Sequence, residues 1–360
     1  MKKIENLFEN IKKRLLIRHE KHDSATALRG LAAIGVFLTH AEWGGLSDYI
    51  TNNFSAKYFE IWNSFSLLIQ MGPTAFFVAS GYALTNSIQS RKRTTLEFFL
   101  SRHIRLTPLY SITLFLTYTQ YGFENAIQFL SRLLYVDYLF PNLYISNPLD
   151  VAWTLPIEFW LSILLILILK YIESIKHLLL LLIFLIILQY PLYYVAIKLG
   201  ANELWSARLL SGYLPSILIG SLIYLLITVL SKIHIQIITL SVAIPSLPMS
   251  LEYLFHKSTS PNFIMLLWSS LFLLYFGCHS KPINVPNLFI WLGTICYGIY
   301  LLHPMILQVV SQNLMIENRF VILIVSSFIL LISSSLTWVF IEMPLIIMGK
   351  KIRIKKKKYI

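Results

Sequence analysis

The chain has 360 residues, of which 56% are hydrophobic and 13% charged, whereas a soluble domain carries about 25% charged residues. Together with a mean hydropathy of +0.67, this excludes an ordinary soluble enzyme and points to a polytopic membrane protein. The net charge of +13 does not indicate a nucleic-acid partner, because Lys and Arg sit mostly in short loops and tails between apolar runs, as the positive-inside rule expects.

Residues 1–24 form a basic stretch too charged for the apolar core of a signal peptide. They read as a cytoplasmic amphipathic helix resting on anionic membrane lipid. An apolar core follows over 25–348, and a Lys-rich tail over 349–360 is expected to lie in the cytoplasm. Within the core, ten apolar runs are long enough, or sharply enough bounded by charge, to be spans. They cover 25–43, 64–88, 107–122, 152–170, 178–196, 208–230, 236–251, 262–278, 288–311 and 320–347. Pro245 and Pro248 make the seventh the weakest. The predicted fold is an all-α membrane protein of about ten transmembrane helices with both termini cytoplasmic. In that scheme 24 of the 30 Lys and Arg residues are inside and 6 outside, a bias that supports the orientation. No internal repeat is visible. The longest outer loop, about 123–151, carries Phe129, Leu130, Leu133, Leu134 and Tyr135, a pattern for a short surface helix.

The first span contains Arg29 and His40. Eleven residues advance a helix by three turns plus about 20°, so both side chains share a face, about 16 Å apart. An ionisable group inside a span normally faces a wet cavity or a protein interior. Snorkelling of Arg29 and a structural His40 are the plain alternative.

Arg102 and Arg105 stand i, i+3 on one helix face, flanked by Phe98, Phe99, Leu100 and Leu106. Paired guanidiniums suit phosphate, whereas Arg91, Lys92 and Arg93 read as topology determinants. Pro108 is expected to start the third span. Thr154 and Glu158 share a face of the fourth span, on the same side of the membrane as His40. A carboxylate there is expected to be paired, protonated or solvated, and a Glu close to a His is what an oriented base needs. Tyr297, Tyr300 and His303 form a polar line on the ninth span, with His303 read first as structural. Glu342 ends the tenth span and is expected to pair with Arg29 or with the Arg102 and Arg105 region. Cys278 and Cys296 fit no metal spacing, so no metal is expected.

Six stretches then combine: LRGLAAIGVFLTH at Leu28–His40, FFVASGYALT at Phe76–Thr85, RHIR at Arg102–Arg105, WTLPIEFW at Trp153–Trp160, YGIYLLHP at Tyr297–Pro304 and IEMP at Ile341–Pro344. In this order the chain resembles the integral-membrane acyltransferase 3 family, which O-acylates bacterial surface glycans. The resemblance implies a multi-pass protein of the bacterial cytoplasmic membrane. It also implies acyl-CoA as cytoplasmic co-substrate, acetyl-CoA foremost, and a glycan or lipid-linked saccharide as acceptor. It makes His40 the essential histidine and Arg29 its partner, and it gives Arg102 and Arg105 the donor.

One departure concerns Gly72-Pro73-Thr74-Ala75-Phe76-Phe77, where the family often has an acid near the Thr74 position. Glu158, or an outer-loop acid such as Glu60, would have to supply any such role. Some family members carry an esterase-like domain; this chain is expected to act alone or with a separate partner. The expected site is catalytic His40 with Arg29 and an orienting Glu158, donor-binding Arg102 and Arg105, and acceptor-lining Trp153, Tyr297 and His303. The rival reading from another class is a transporter of a glycan or lipid-linked sugar, which explains spans and buried charges equally well.

Overall fold

The computed structural model describes residues 23–41, 46–54, 56–90, 94–122, 126–140, 149–172, 174–202, 210–256, 261–277, 285–313 and 318–351. The basic N-terminal segment and tail lie outside these, except for Asp23, Ser24 and residues 349–351. Everything regular among the described residues is helical.

The chain opens with α1 (Asp23–His40), followed by α2 (Leu46–Asn53) and α3 (Ala56–Gln70). A single turn at Met71 separates α3 from α4 (Gly72–Ser90), and Thr74 N bonds Met71 O at 2.9 Å across it. Next come α5 (Thr95–Tyr121) and the short α6 (Ala126–Leu133). The first of these starts earlier than the sequence reading placed it. Thr94 and Glu97 form a reciprocal capping box that satisfies two orphan donors. The helix therefore contains the RHIR stretch, and Pro108 lies inside it rather than at its start. The predicted loop helix is α6.

Asp137–Leu139 and Asp150–Trp153 are 3₁₀ turns, and the second runs directly into α7 (Thr154–Tyr171). Then follow α8 (Ile175–Lys198), α9 (Leu210–Val229), α10 (Lys232–His256) and α11 (Pro261–Gly277). The ninth expected span is broken: α12 (Asn287–Thr294) and α13 (Cys296–Asn313) meet at a 67° bend. The tenth is α14 (Arg319–Thr337), a π-helical turn over Trp338–Glu342 and α15 (Met343–Lys351).

Where they are described, the ten expected apolar runs are largely helical. Among the described residues, five helices are long and apolar enough to cross a membrane, or six with the bent pair taken as one span. The arginine-bearing α1 and α5 are outside that set. The chain is therefore an all-α, multi-pass membrane protein. Helices α8, α10 and α14 turn large apolar side chains outward, among them Ile187, Ile244 and Phe328, as lipid-facing helices do.

The interior is built around α1, which touches α3, α4, α11, α12 and α13. Two glycine crossings set the spacing. A Cβ on Gly81 of α4 would lie 1.8 Å from Ile217 O of α9, and one on Gly220 would lie 1.9 Å from Val78 O. Gly293 of α12 and Gly30 of α1 make the equivalent approach, with a Gly293 Cβ 1.9 Å from Thr26 O. Small residues let membrane helices meet backbone to backbone, where no hydrophobic force draws them together. These crossings hold α1 and α4 rigidly enough for their polar side chains to meet.

Candidate active site

One polar layer crosses the bundle at the Arg29 end of α1. Arg29 donates to Ser80 Oγ of α4 at 3.0 Å, and its guanidinium lies 5.5 Å from the Phe76 ring centroid. Ser80 Oγ donates to Glu158 Oε1 of α7 at 3.3 Å. The same oxygen accepts from Arg102 of α5 at 2.8 Å. Glu158 and Arg102 are both buried. Four helices are thus joined by one chain of charge-assisted bonds, the kind that persists where water is scarce.

Two cavities flank this layer. One, of about 150 Å³, is lined by Arg29, Arg102 and Arg105 together with Ser87, Phe98 and Ser101. It has room for several waters or for part of an anionic ligand. The other is only about 20 Å³ and is lined by Val36, Phe76, Thr154, Glu158, Tyr297 and Tyr300. Glu342, 1% exposed in the π-helical turn, feels the charge of Arg105. Such turns are rare and frequently mark functional sites.

At the other end of α1, His40 Nδ1 lies 3.0 Å from His303 Nε2 of α13. The ring planes are 20° apart. His303 is fully buried, whereas His40 is half-buried. Tyr300 accepts from Thr154 Oγ1 at 2.8 Å and donates to Val151 O. It also lies beside His303, with a ring separation of 6.2 Å.

A helical membrane bundle with an arginine-lined cavity and a histidine pair at opposite ends of one helix suits group transfer. The comparison with known families decides it: a family model described as an acyltransferase domain matches residues 23–341. The chain belongs to the acyltransferase 3 family. It is a membrane acyltransferase, and the transporter reading is set aside. No curated protein and no solved structure gives a significant match.

In this acyltransferase, Arg29, Arg102 and Arg105 converge on one cavity. The polar line on α13 faces inward, since Tyr297, Tyr300 and His303 are all buried. Tyr297 donates to Leu106 O of α5 at 2.6 Å and also lines the small cavity. Trp153 packs on Tyr213 at a ring separation of 5.5 Å. The expected pairing of Glu158 with His40 gives way to a different one. The bonds on Glu158 Oε1 come from Arg102 and Ser80, and the bond on His40 Nδ1 involves His303.

The sequence reading missed the role of Ser80. Its only signal was a hydroxyl inside FFVASG, where membrane helices carry small residues for packing anyway. Where the family often has an acid, Thr74 Oγ1 donates to Asn262 at 2.9 Å. Of the two acids named as substitutes, Glu60 is exposed on α3 and Glu158 is in the core. Among the described residues no cluster of His, Cys, Asp or Glu has the arrangement of a metal site.

Proposed function

We propose that this membrane acyltransferase is an O-acyltransferase that moves an acyl group, acetyl foremost, from acyl-CoA to a hydroxyl of a glycan or lipid-linked saccharide. The observation that carries the reading is the convergence of three guanidiniums on one cavity, with the histidine pair at the far end of the same helix. Guanidinium forks match phosphate oxygens. The two ends are about 16 Å apart along α1. A donor anchored by phosphates at one end therefore needs a long flexible arm to bring its thioester to the other, and coenzyme A has one.

In the chemical step His40 takes the proton of the acceptor hydroxyl. The oxygen attacks the thioester carbonyl, the carbon–sulfur bond breaks, and the leaving thiolate recovers the proton from the imidazolium. An acyl-His40 intermediate is the variant in which the imidazole itself attacks first. Tyr297, a wall of the small cavity, and Trp153 would border the acceptor. The arginine end would face the cytoplasm of a bacterial inner membrane, with both termini inside, as the Lys and Arg distribution supports.

The direct test is single-turnover transfer from labelled acetyl-CoA to saccharide acceptors in proteoliposomes. Transfer that needs the donor on the arginine side supports the reading, and absence of any thioester consumption by folded protein overturns it. Orientation is read separately from Lys170 and Lys198, exposed at the ends of α7 and α8. An impermeant thiol reagent on intact cells should label Lys198→Cys and not Lys170→Cys.

A further inference from the structure

We propose that His303 is a positioning residue that sets the tautomer of His40, placing the proton on Nδ1 and making Nε2 the basic nitrogen. The inference rests on the reading of His40 as the base and adds how that base is prepared.

The argument starts at the buried end. His303 Nδ1 lies 3.0 Å from Ile299 O, one helical turn back. A carbonyl oxygen only accepts, so His303 Nδ1 carries a hydrogen. In a neutral ring the other nitrogen is then a lone pair. That nitrogen, Nε2, is 3.0 Å from His40 Nδ1, and a bond between two nitrogens needs one hydrogen. The hydrogen must therefore come from His40 Nδ1, and in neutral His40 the base is Nε2. A doubly protonated His303 would reverse the bond. It would also bury a cation at 0% exposure against the rings of Phe37, Tyr300 and His40, which is strongly unfavourable without a counter-charge.

The ring geometry agrees. The 3.0 Å nitrogen contact accounts for most of the 5.0 Å centroid separation, and the planes are 20° apart. The rings are therefore close to parallel and offset, meeting through these two nitrogens. Phe37 stands edge-on to His303 at 6.2 Å and 75°, which limits rotation of that ring. A free imidazole side chain in water favours the proton on Nε2, so the Ile299–His303 chain inverts the default. Once His40 has taken the acceptor proton, its Nδ1–H bond to His303 becomes charge-assisted and stabilises the imidazolium. The arrangement resembles a base oriented by a third group, with a neutral imidazole in place of a carboxylate.

The test is nitrogen NMR of the full-length protein, labelled at its nine histidines and assigned by His40→Ala and His303→Gln. The expected parent spectrum has both rings protonated at Nδ1 near neutral pH, with a coupling between His40 Nδ1 and His303 Nε2. His303→Leu should return His40 to the Nε2–H form, lower single-turnover transfer by about 10²-fold and shift its pH profile. His303→Gln offers an amide oxygen to His40 and should recover most of the rate.

A parent His40 protonated at Nε2 overturns the proposal, whether or not His303→Leu folds. Equal losses in the Leu and Gln variants with the His40 tautomer unchanged do the same. Failure of the underlying base reading looks different: His40→Ala would keep its transfer rate while the parent spectrum still shows the Nδ1–H pair.

Discussion

Helix α1 carries an arginine at one end and a histidine at the other, and the bundle treats the two in opposite ways. Around Arg29 the structure gathers charge: Arg102 and Arg105 beside it, Glu158 bonded through Ser80, and a cavity of about 150 Å³ on which the guanidiniums converge. Around His40 it gathers rings. His303 stands against His40, Phe37 and Tyr300 pack on His303, and Tyr300 also lines the cavity of about 20 Å³. The first arrangement has the charge and the room that the phosphates of the proposed donor need. The second, with the tautomer proposed for His40, fixes where a proton sits. The proposed thioester donor would need both, separated by the length of its arm.

That division is broken most directly at His40. His40→Ala should lower transfer by about 10²–10⁴-fold, the usual contribution of a general base, and leave donor affinity at the parent value. Single-turnover rates and equilibrium donor titration on the same preparation check it. A parallel loss of donor binding would mean that the two ends do not act separately.

The next effect concerns stability. Arg102→Ala leaves Glu158 buried without its 2.8 Å partner, a change of about 3–5 kcal/mol. The double variant Arg102→Met with Glu158→Leu removes both charges, so it should regain most of the thermal stability and none of the donor affinity. Recovery of both would reduce the ion pair to a strut and move the donor site elsewhere.

Much of this was legible in the sequence, and what was not has physical causes. Period and apolar length located helix in the described part of each expected apolar run, because a backbone in lipid has few other ways to satisfy its polar groups. The i, i+11 relation of Arg29 and His40 and the inward line of Tyr297, Tyr300 and His303 follow from helical geometry alone. Partners across helices do not. Glu158 looked like a companion for His40 because both were assigned to one leaflet, yet two donors from α4 and α5 already occupy its Oε1. The start of α5 was misplaced because Pro108 was read as a first-turn proline, while the stronger signal, Thr94 with Glu97 three residues on, went unused. The 67° break between α12 and α13 lies in an unbroken apolar run and leaves no mark in hydropathy.

Arg105 sharpens the comparison at smaller amplitude. It lines the arginine cavity and is half-buried. Arg105→Lys keeps the charge and loses the fork, so donor affinity should fall by about tenfold, the lower end of what a hydrogen bond to a charged group contributes. The melting temperature should stay near the parent value. A fall in stability matching that of Arg102→Ala would show that the two arginines share one structural role.

The smallest effect asks whether a buried charge by itself marks a site. Asp137, in a 3₁₀ turn of the loop between α6 and α7, is as buried as Glu158, and Arg132 is buried with it. Neither lines either cavity beside α1. Burial pushes the Asp137 carboxyl up from 3.8 to about 6, with the attraction of Arg132 acting in the opposite direction. The folded form thus binds more protons than the unfolded chain between those two values. Stability from this group is therefore gained as pH falls through about 6 and lost as pH rises. Compared with Asp137→Asn, which does not titrate, the parent should gain thermal stability between pH 7 and pH 5. The shift should be roughly 2–4 °C for each kcal/mol involved. Transfer measured at constant pH should be nearly the same in the two proteins. A difference in melting temperature that ignores pH would remove the titration. A loss of transfer like that of His40→Ala would bring the loop into the site, and burial rather than the α1 axis would then be the better guide to chemistry in this fold.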